Sequence, residues 1–156
     1  MGRIRYASDV GAPVEVAFTY ADNAQFVPEW MAGVTRFTPS GDQDCGLGAT
    51  YHAAVRLGPW RTTLDCEITE YRRNAVLAYT LRGRLSGTLR LRFDPLGYGR
   101  AALTSEAEYA APRGLLARLC GGLVDAAVRT ALRRTESQLR REIEEFHGTD
   151  LVGRIA

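Results

Sequence analysis

Residues 112–146 constrain what this chain can fold into more than any other stretch. Beyond the opening Pro112 the run holds no proline, and Leu, Ala, Arg and Glu dominate it. Val124, Val128, Leu132, Thr135, Leu139, Ile143 and Phe146 recur at steps of three and four, which makes one apolar stripe on an α-helix. Pro112 suits a first helical turn, and Gly148, just past His147, suits the C-terminal cap. At 1.5 Å per residue the helix would run roughly 50 Å. A stripe of that length needs a long apolar partner, and only the preceding segments can supply one. The opposite face carries Arg129, Arg133, Glu136, Arg140, Glu144 and Glu145. Glu136 before Arg140 is a favourable i, i+4 pair, so this face reads as solvated.

Upstream, residues 3–8 alternate as a short strand, and Gly11-Ala12-Pro13 breaks it. Pro13 opens a helix whose stripe is Val14, Ala17, Phe18 and Ala21. Asp22-Asn23 ends that helix and caps a second short one through Phe26, with Pro28 to Trp30 closing the pair. Residues 34–38 read as a second strand, and 40–48 as a turn-rich loop. Alternation then marks strands at 49–57, 60–71, 75–82, 85–93 and 100–109, separated by short turn signals such as Gly58-Pro59 and Asp94-Pro95-Leu96-Gly97. Short connections make antiparallel neighbours. The expected fold class is α+β: a strand, two short helices, about six more strands and one long helix, with the helices on one face of the sheet. Residues 1–148 are expected to form a single domain, with 149–156 as a tail.

Composition removes several function classes. A chain of 156 residues with 46% hydrophobic and 24% charged side chains is long enough to bury one core. A net charge of +2 gives no reason to expect a nucleic-acid partner. Lysine is absent, which excludes a Schiff-base or P-loop lysine. No segment has the length of a membrane span, and the N-terminus lacks the apolar core of a signal peptide. Three widely spaced cysteines, Cys45, Cys66 and Cys120, do not make a disulfide scaffold, so a cytoplasmic setting is expected. Too few His, Cys and clustered acids are present for a metal site, and no cofactor is expected. Gly97-Tyr98-Gly99-Arg100-Ala101-Ala102 matches a dinucleotide fingerprint by letter, but it enters a strand and opens no helix. His52 has outward parity and His147 stands at the expected helix end; neither has an evident partner for nucleophilic catalysis.

Strand parity sorts the two sheet faces. Tyr51, Ala53, Val55, Trp60, Thr62, Leu64, Cys66, Ile68, Leu77, Tyr79, Gly87, Leu89, Leu91, Phe93, Ala101, Leu103, Ser105, Ala107 and Tyr109 share the inner face. Arg56, Arg61, Asp65, Glu67, Arg90, Arg92, Glu106 and Glu108 share the outer one, a wet surface on which arginines have acids within reach. Several inner residues are small: Ala53, Thr62, Cys66, Gly87, Ala101, Ser105 and Ala107. Interiors pack tightly, so small inner residues mean either a close-lying helix or a space. The long helix has its own notch at Gly121-Gly122, next to Val124. Together these suggest a cavity rimmed by Trp30, Tyr51, Trp60, Tyr79 and Tyr109. The alternative filling is Val14, Phe18, Leu116 and Val124. Asp125, about one residue off the stripe, is the carboxylate best placed to reach such a cavity, as a general base or as a solvated edge residue.

The order of elements, with 12–18, Ala21-Asp22 and Trp30, Gly46-Leu47-Gly48 entering a strand, 67–71 before 77–79, and the closing helix, resembles the START-related (SRPBCC, Bet v 1-like) superfamily. The resemblance includes coenzyme Q-binding and polyketide cyclase/dehydrase-like members. It implies a helix-grip fold, in which a seven-stranded antiparallel sheet wraps the last helix and leaves a pocket between them. It also implies binding of a hydrophobic small molecule such as a lipid, quinone or polyketide-like aromatic, by a monomer or homodimer. The ligand-facing set would then be Trp30, Tyr51, Trp60, Thr62, Cys66, Tyr79, Gly87, Ser105, Tyr109, Gly121 and Val124. Aromatase/cyclase chemistry in the same pocket is the alternative, with Asp125 and Tyr79 as its candidate residues. Every strand arginine after Tyr51 has outward parity, however, so an enolate would lack an inward cation.

Overall fold

The structure, a computed structural model, describes the backbone of residues 2–57, 59–84, 86–110 and 115–155, and their side chains except at 57, 60, 115–124 and 149–155. The expected filling residues Leu116 and Val124, the Gly121-Gly122 notch, the side chains of Trp60 and Cys120, and Pro112 fall outside that description. The chain order is β1 (Gly2–Val10), α1 (Val14–Asp22), a 3-10 turn (Ala24–Phe26), α2 (Val27–Trp30), β2 (Val34–Pro39), β3 (Thr50–Leu57), β4 (Trp60–Arg72), β5 (Val76–Arg82), β6 (Gly87–Gly97), β7 (Arg100–Tyr109) and α3 (Leu115–Ile155). Seven strands form one antiparallel sheet in the order β1-β7-β6-β5-β4-β3-β2. This is the helix-grip fold. No helix among the described residues is long and apolar enough to cross a membrane.

Local chemistry explains the joints. Register shifts at Val34/Arg36, Ile68/Glu70 and Pro95/Gly97 place irregularities in β2, β4 and β6, and such bulges bend a sheet. Asn23 caps the 3-10 turn by accepting from the Gln25 N–H at 3.0 Å. Tyr98 and Gly99 both have positive φ, 55° and 74°, between the paired residues Gly97 and Arg100. That is the backbone a tight two-residue hairpin demands, so the fingerprint-like glycines serve a turn.

Along α3, Leu132, Thr135, Leu139 and Ile143 are buried, while Val128 and Phe146 pack on the rim of the core. Thr135 belongs to this stripe for a polar reason: its Oγ1 accepts the Ala32 N–H at 3.0 Å, tying the turn after α2 to α3. Glu144 Oε2 likewise accepts the Gly11 N–H at 2.9 Å, holding the loop between β1 and α1. Phe146 meets Tyr20 and Phe26, with ring centroids 5.5 and 6.4 Å away. The segment α1–α2 therefore crosses over α3 from one edge strand, β1, to the other, β2.

Three expectations for α3 change. The helix does not stop at Gly148 but continues to Ile155. A glycine inside a helix costs about 1 kcal/mol against alanine, and an exposed one ends a helix only if it adopts the left-handed capping conformation. His147 is consequently inside the helix, not at its end. Glu136 is buried instead of solvated, because it faces Ser8 of β1. Burial pushes its carboxyl above the usual glutamate range, against smaller opposing pulls from Ser8 and Arg140.

Two measurements test this packing. Leu139→Ala, at a wholly buried position, is expected to lower the unfolding free energy by about 2–5 kcal/mol in urea titration. For Glu136, the folded state binds the proton more tightly than the unfolded chain, so its contribution to stability falls as pH rises through the raised pKa. Glu136→Gln is expected to be more stable than wild type near neutral pH, with the gap in urea midpoints closing towards about pH 4.

Candidate functional site

Between the concave sheet face and α3 lies an apolar hollow of about 130 Å³. The sheet supplies Ala53 and Val55 of β3, Leu64 and Cys66 of β4, Leu81 of β5, Gly87 and Leu89 of β6, and Ala107 and Tyr109 of β7. Val128, Ala131, Leu132 and Thr135 of α3 face them, and Met31, Ala32 and Val34 close the side next to α2. Thr88 and Glu108 also border the hollow, at the β6–β7 end. A cavity of about 150 Å³ lined by aliphatic and aromatic side chains binds benzene, so this volume matches one aromatic ring.

The expected site residues fall into separate places. Cys66, Gly87 and Tyr109 line the hollow. Tyr51, Tyr79 and Trp30 are wholly buried but do not border it; they fill the interior elsewhere. Phe37 stacks on Tyr51 with centroids 4.4 Å apart and meets Tyr79 edge-on at 5.9 Å. The Tyr51 hydroxyl is committed to the Asp44 carbonyl at 2.5 Å. Ser105 is buried on β7 away from the hollow, and Thr62, opposite Val55 in the ladder, does not border it. Trp60, Gly121 and Val124 are outside the described side chains. Val14 and Phe18, the alternative filling, lie in the core but not along the hollow.

Gly87 is glycine for a backbone reason. A Cβ there would collide with the Glu108 carbonyl and the Tyr109 backbone on β7. Gly2, paired with Tyr109 from the other side, would collide with the Tyr109 ring. Tyr109 therefore sits between two glycines, and its ring lies over Gly2. Its hydroxyl donates to Asp125 Oδ1 of α3, and Arg129 Nε donates to Asp125 Oδ2 at 2.9 Å. Asp125 thus has both oxygens engaged, one by a phenol that borders the hollow and one by a guanidinium. Parity did not show this chain of contacts, because it gives the face of a residue and not its reach.

Burial sets the character of the interior acids. It pushes the Cys66 thiol up to about 12, the Tyr51 phenol up to about 12, and the Tyr79 phenol well above its ordinary value. These groups stay protonated at neutral pH and act as small apolar or hydrogen-bonding surfaces, not as bases. The described strand arginines after Tyr51 point outward: Arg56, Arg61, Arg72, Arg82, Arg92 and Arg100 are exposed, and Arg90 is bonded to Glu70 at 3.1 and 3.2 Å. Contrary to expectation, His52 has a partner, Asp65, at 2.7 Å on the outer face. Among the described residues, no three His, Cys, Asp or Glu side chains converge as a metal site would require.

Comparison with known proteins fits this geometry. The family model described as polyketide cyclase / dehydrase and lipid transport matches residues 1–144, and the chain belongs to that family. It is thereby a member of the START/Bet v 1-like superfamily. Among solved structures, it resembles the Zhui aromatase/cyclase from Streptomyces sp. R1128, with TM-score 0.79, 14% identity, and 92% and 93% of the two chains covered. It also resembles a START superfamily protein from Mycobacterium smegmatis, with TM-score 0.73, 14% identity, and 92% and 97% covered. A third is norcoclaurine synthase from Thalictrum flavum in complex with dopamine and hydroxybenzaldehyde, with TM-score 0.67, 13% identity, and 92% and 87% covered. At such identities the likeness is one of fold. No curated protein matches the chain in sequence. Family membership supports a role in binding a hydrophobic ligand or in cyclisation.

The thiols give a direct check on the hollow's surroundings. Alkylation followed site by site by mass spectrometry is expected to modify exposed Cys45 in the folded protein and to reach buried Cys66 only once denaturant opens the sheet.

Proposed function

We propose that this chain binds a hydrophobic small molecule by seating one aromatic or similarly sized apolar group between the sheet and α3. The observation that carries this reading is an apolar hollow of ring size beside a polar cluster, Tyr109–Asp125–Arg129. Affinity would come from apolar area removed from water, about 25 cal/mol per Å² before the costs of association. A ligand larger than one ring would leave its remainder at the β6–β7 end, where Tyr109, Asp125 and Arg129 are the polar groups at hand to orient it. A lipid, a quinone or a polyketide-like aromatic each offers such an apolar group.

The Tyr109–Asp125 contact also favours a second reading, cyclisation or dehydration of a chain held in the hollow. Tyr109 borders the apolar space and is the phenol whose proton has a carboxylate partner at the same place. The phenol has one proton, so Tyr109 can donate it to a developing enolate only by turning it away from Asp125, which Arg129 continues to hold. Tyr79, edge-on to Phe37 in the aromatic half of the interior, has no such access.

Binding of toluene, followed by methyl chemical shifts, tests the first reading. Saturable shifts at Val55, Leu64, Leu89 and Leu132 are expected, and Val128→Trp, which fills the hollow from a half-buried helix position, is expected to abolish them. Shifts that persist in Val128→Trp would remove the hollow as the ligand site. For the second reading, Tyr109→Phe and Asp125→Asn are expected to slow cyclisation of a poly-β-ketone substrate by about 10²–10⁴-fold while toluene still binds. Unchanged rates in both variants would leave binding alone.

A further inference from the structure

The outer face of the sheet carries a second concavity, a groove of about 690 Å³ bounded by the β3–β4 hairpin and the turn after β5. Arg56 and Arg61 border it from directly opposite positions in the β3–β4 ladder, and Arg84 borders it from the turn. The short Ala54–Thr63 pair, one outward rung further along, leaves room beside these long side chains. Thr35, Thr62 and Thr63 also line the groove.

Like charges placed directly across a ladder destabilise a sheet. Four other arginines of the sheet are paired: Arg82 with Glu67, Arg90 with Glu70, Arg92 with Asp94, and Arg100 with Asp9. Among the described residues, no carboxylate pairs with Arg56, Arg61 or Arg84. The next acid on that face of β4, Asp65, is taken by His52 at 2.7 Å. The expectation that outer arginines have acidic neighbours therefore fails for Arg56, Arg61 and Arg84, which share a concave surface, as it does for Arg36 and Arg72 outside it. Thr63 adds a hydroxyl without a partner among the described residues, and Thr35 donates to the Ala54 carbonyl at 3.2 Å.

We propose that this groove is a binding site for a phosphate-type dianion. A doubly charged tetrahedral oxyanion offsets the repulsion between the guanidiniums, and its oxygens match the paired N–H groups of arginine better than a single carboxylate does. The site is separate from the apolar hollow and does not depend on what the hollow binds. The two lie on opposite sides of β3, with Val55 bordering both. The dianion belongs either to a small soluble phosphate or to an anionic lipid headgroup, and the same chemistry recognises both.

Calorimetric titration with inorganic phosphate at low ionic strength tests the site. Arg61→Gln and Arg84→Gln are each expected to weaken binding about tenfold. Arg92→Gln, an outer-face arginine paired with Asp94, is expected to leave it unchanged. Arg61→Lys keeps the charge at an exposed position and guards against misfolding; an intermediate affinity is expected because the fork is lost. In a second arm, sedimentation with phosphatidylcholine vesicles, with and without phosphatidic acid, identifies the source. Phosphate binding that depends on the groove supports a soluble ligand. Groove-dependent binding to phosphatidic acid vesicles alone supports a lipid headgroup. Binding in neither arm, or binding weakened as much by Arg92→Gln as by the groove substitutions, overturns the proposal.

Discussion

The concave face of the sheet has one long cover, α3, and the rest of the structure depends on the contact between them. Leu132, Leu139 and Ile143 bring the helix onto the strands, and two of its polar side chains fix what crosses over it. Thr135 takes the Ala32 N–H and Glu144 takes the Gly11 N–H, so both ends of the β1–β2 crossover are hydrogen-bonded to the same helix. Each bond satisfies a backbone donor that would otherwise be left without a partner where loop meets helix. Tyr71 adds a third tie, donating to Asp22 at the end of α1 from β4 at 2.8 Å. The sheet is thereby gripped at its two edges and along its middle.

The interior beneath α3 divides into two chemical halves. Towards α1 and β2, aromatic rings fill the space: Phe18 meets Tyr71 and Phe93 edge-on, and Phe37 meets Tyr51 and Tyr79. Towards the β6–β7 end, the same sheet presents Ala53, Cys66, Gly87 and Ala107, and Tyr109 is the one ring among the described side chains that borders the space. A bulky half holds the helix away from the sheet, and a half of small residues then cannot close the distance. The hollow is the geometric result of that asymmetry. Polar groups in the filled half are desolvated and inert as acids, whereas Tyr109 lies at the other end with a carboxylate on its hydroxyl.

Most of the fold was legible because alternation and the three-four step record which face of an element meets the core. The strands, their antiparallel order and the buried stripe of α3 follow from that rule. Depth and reach do not. Glu136 looked solvated because one helical face was all acids and arginines, yet β1 lies over that position. Tyr51, Tyr79 and Trp30 were rightly placed inward, but inward residues can border a space or consume it, and their rings consume it. Gly148 carries no mark to distinguish a cap from an interior glycine. Gly87 was small because a neighbouring strand passes too close, which no single-strand pattern reveals. The unpaired arginines were hidden for the same reason, since facing of Arg56 and Arg61 depends on hairpin register.

The pairing of β1 with β7 joins segments about a hundred residues apart in the chain. During synthesis the first strand must wait for its only neighbour, roughly five to twenty seconds at ordinary ribosomal rates. Contacts of such span are also slow to form in a free chain. Until then β1 is a naked edge, and its alternating Arg3, Arg5 and Asp9 give it the charges that discourage pairing with other molecules. Those same side chains later meet Glu106, Glu108 and Arg100, so what guards the nascent strand becomes, once β1 pairs with β7, part of the fastening at that edge of the sheet.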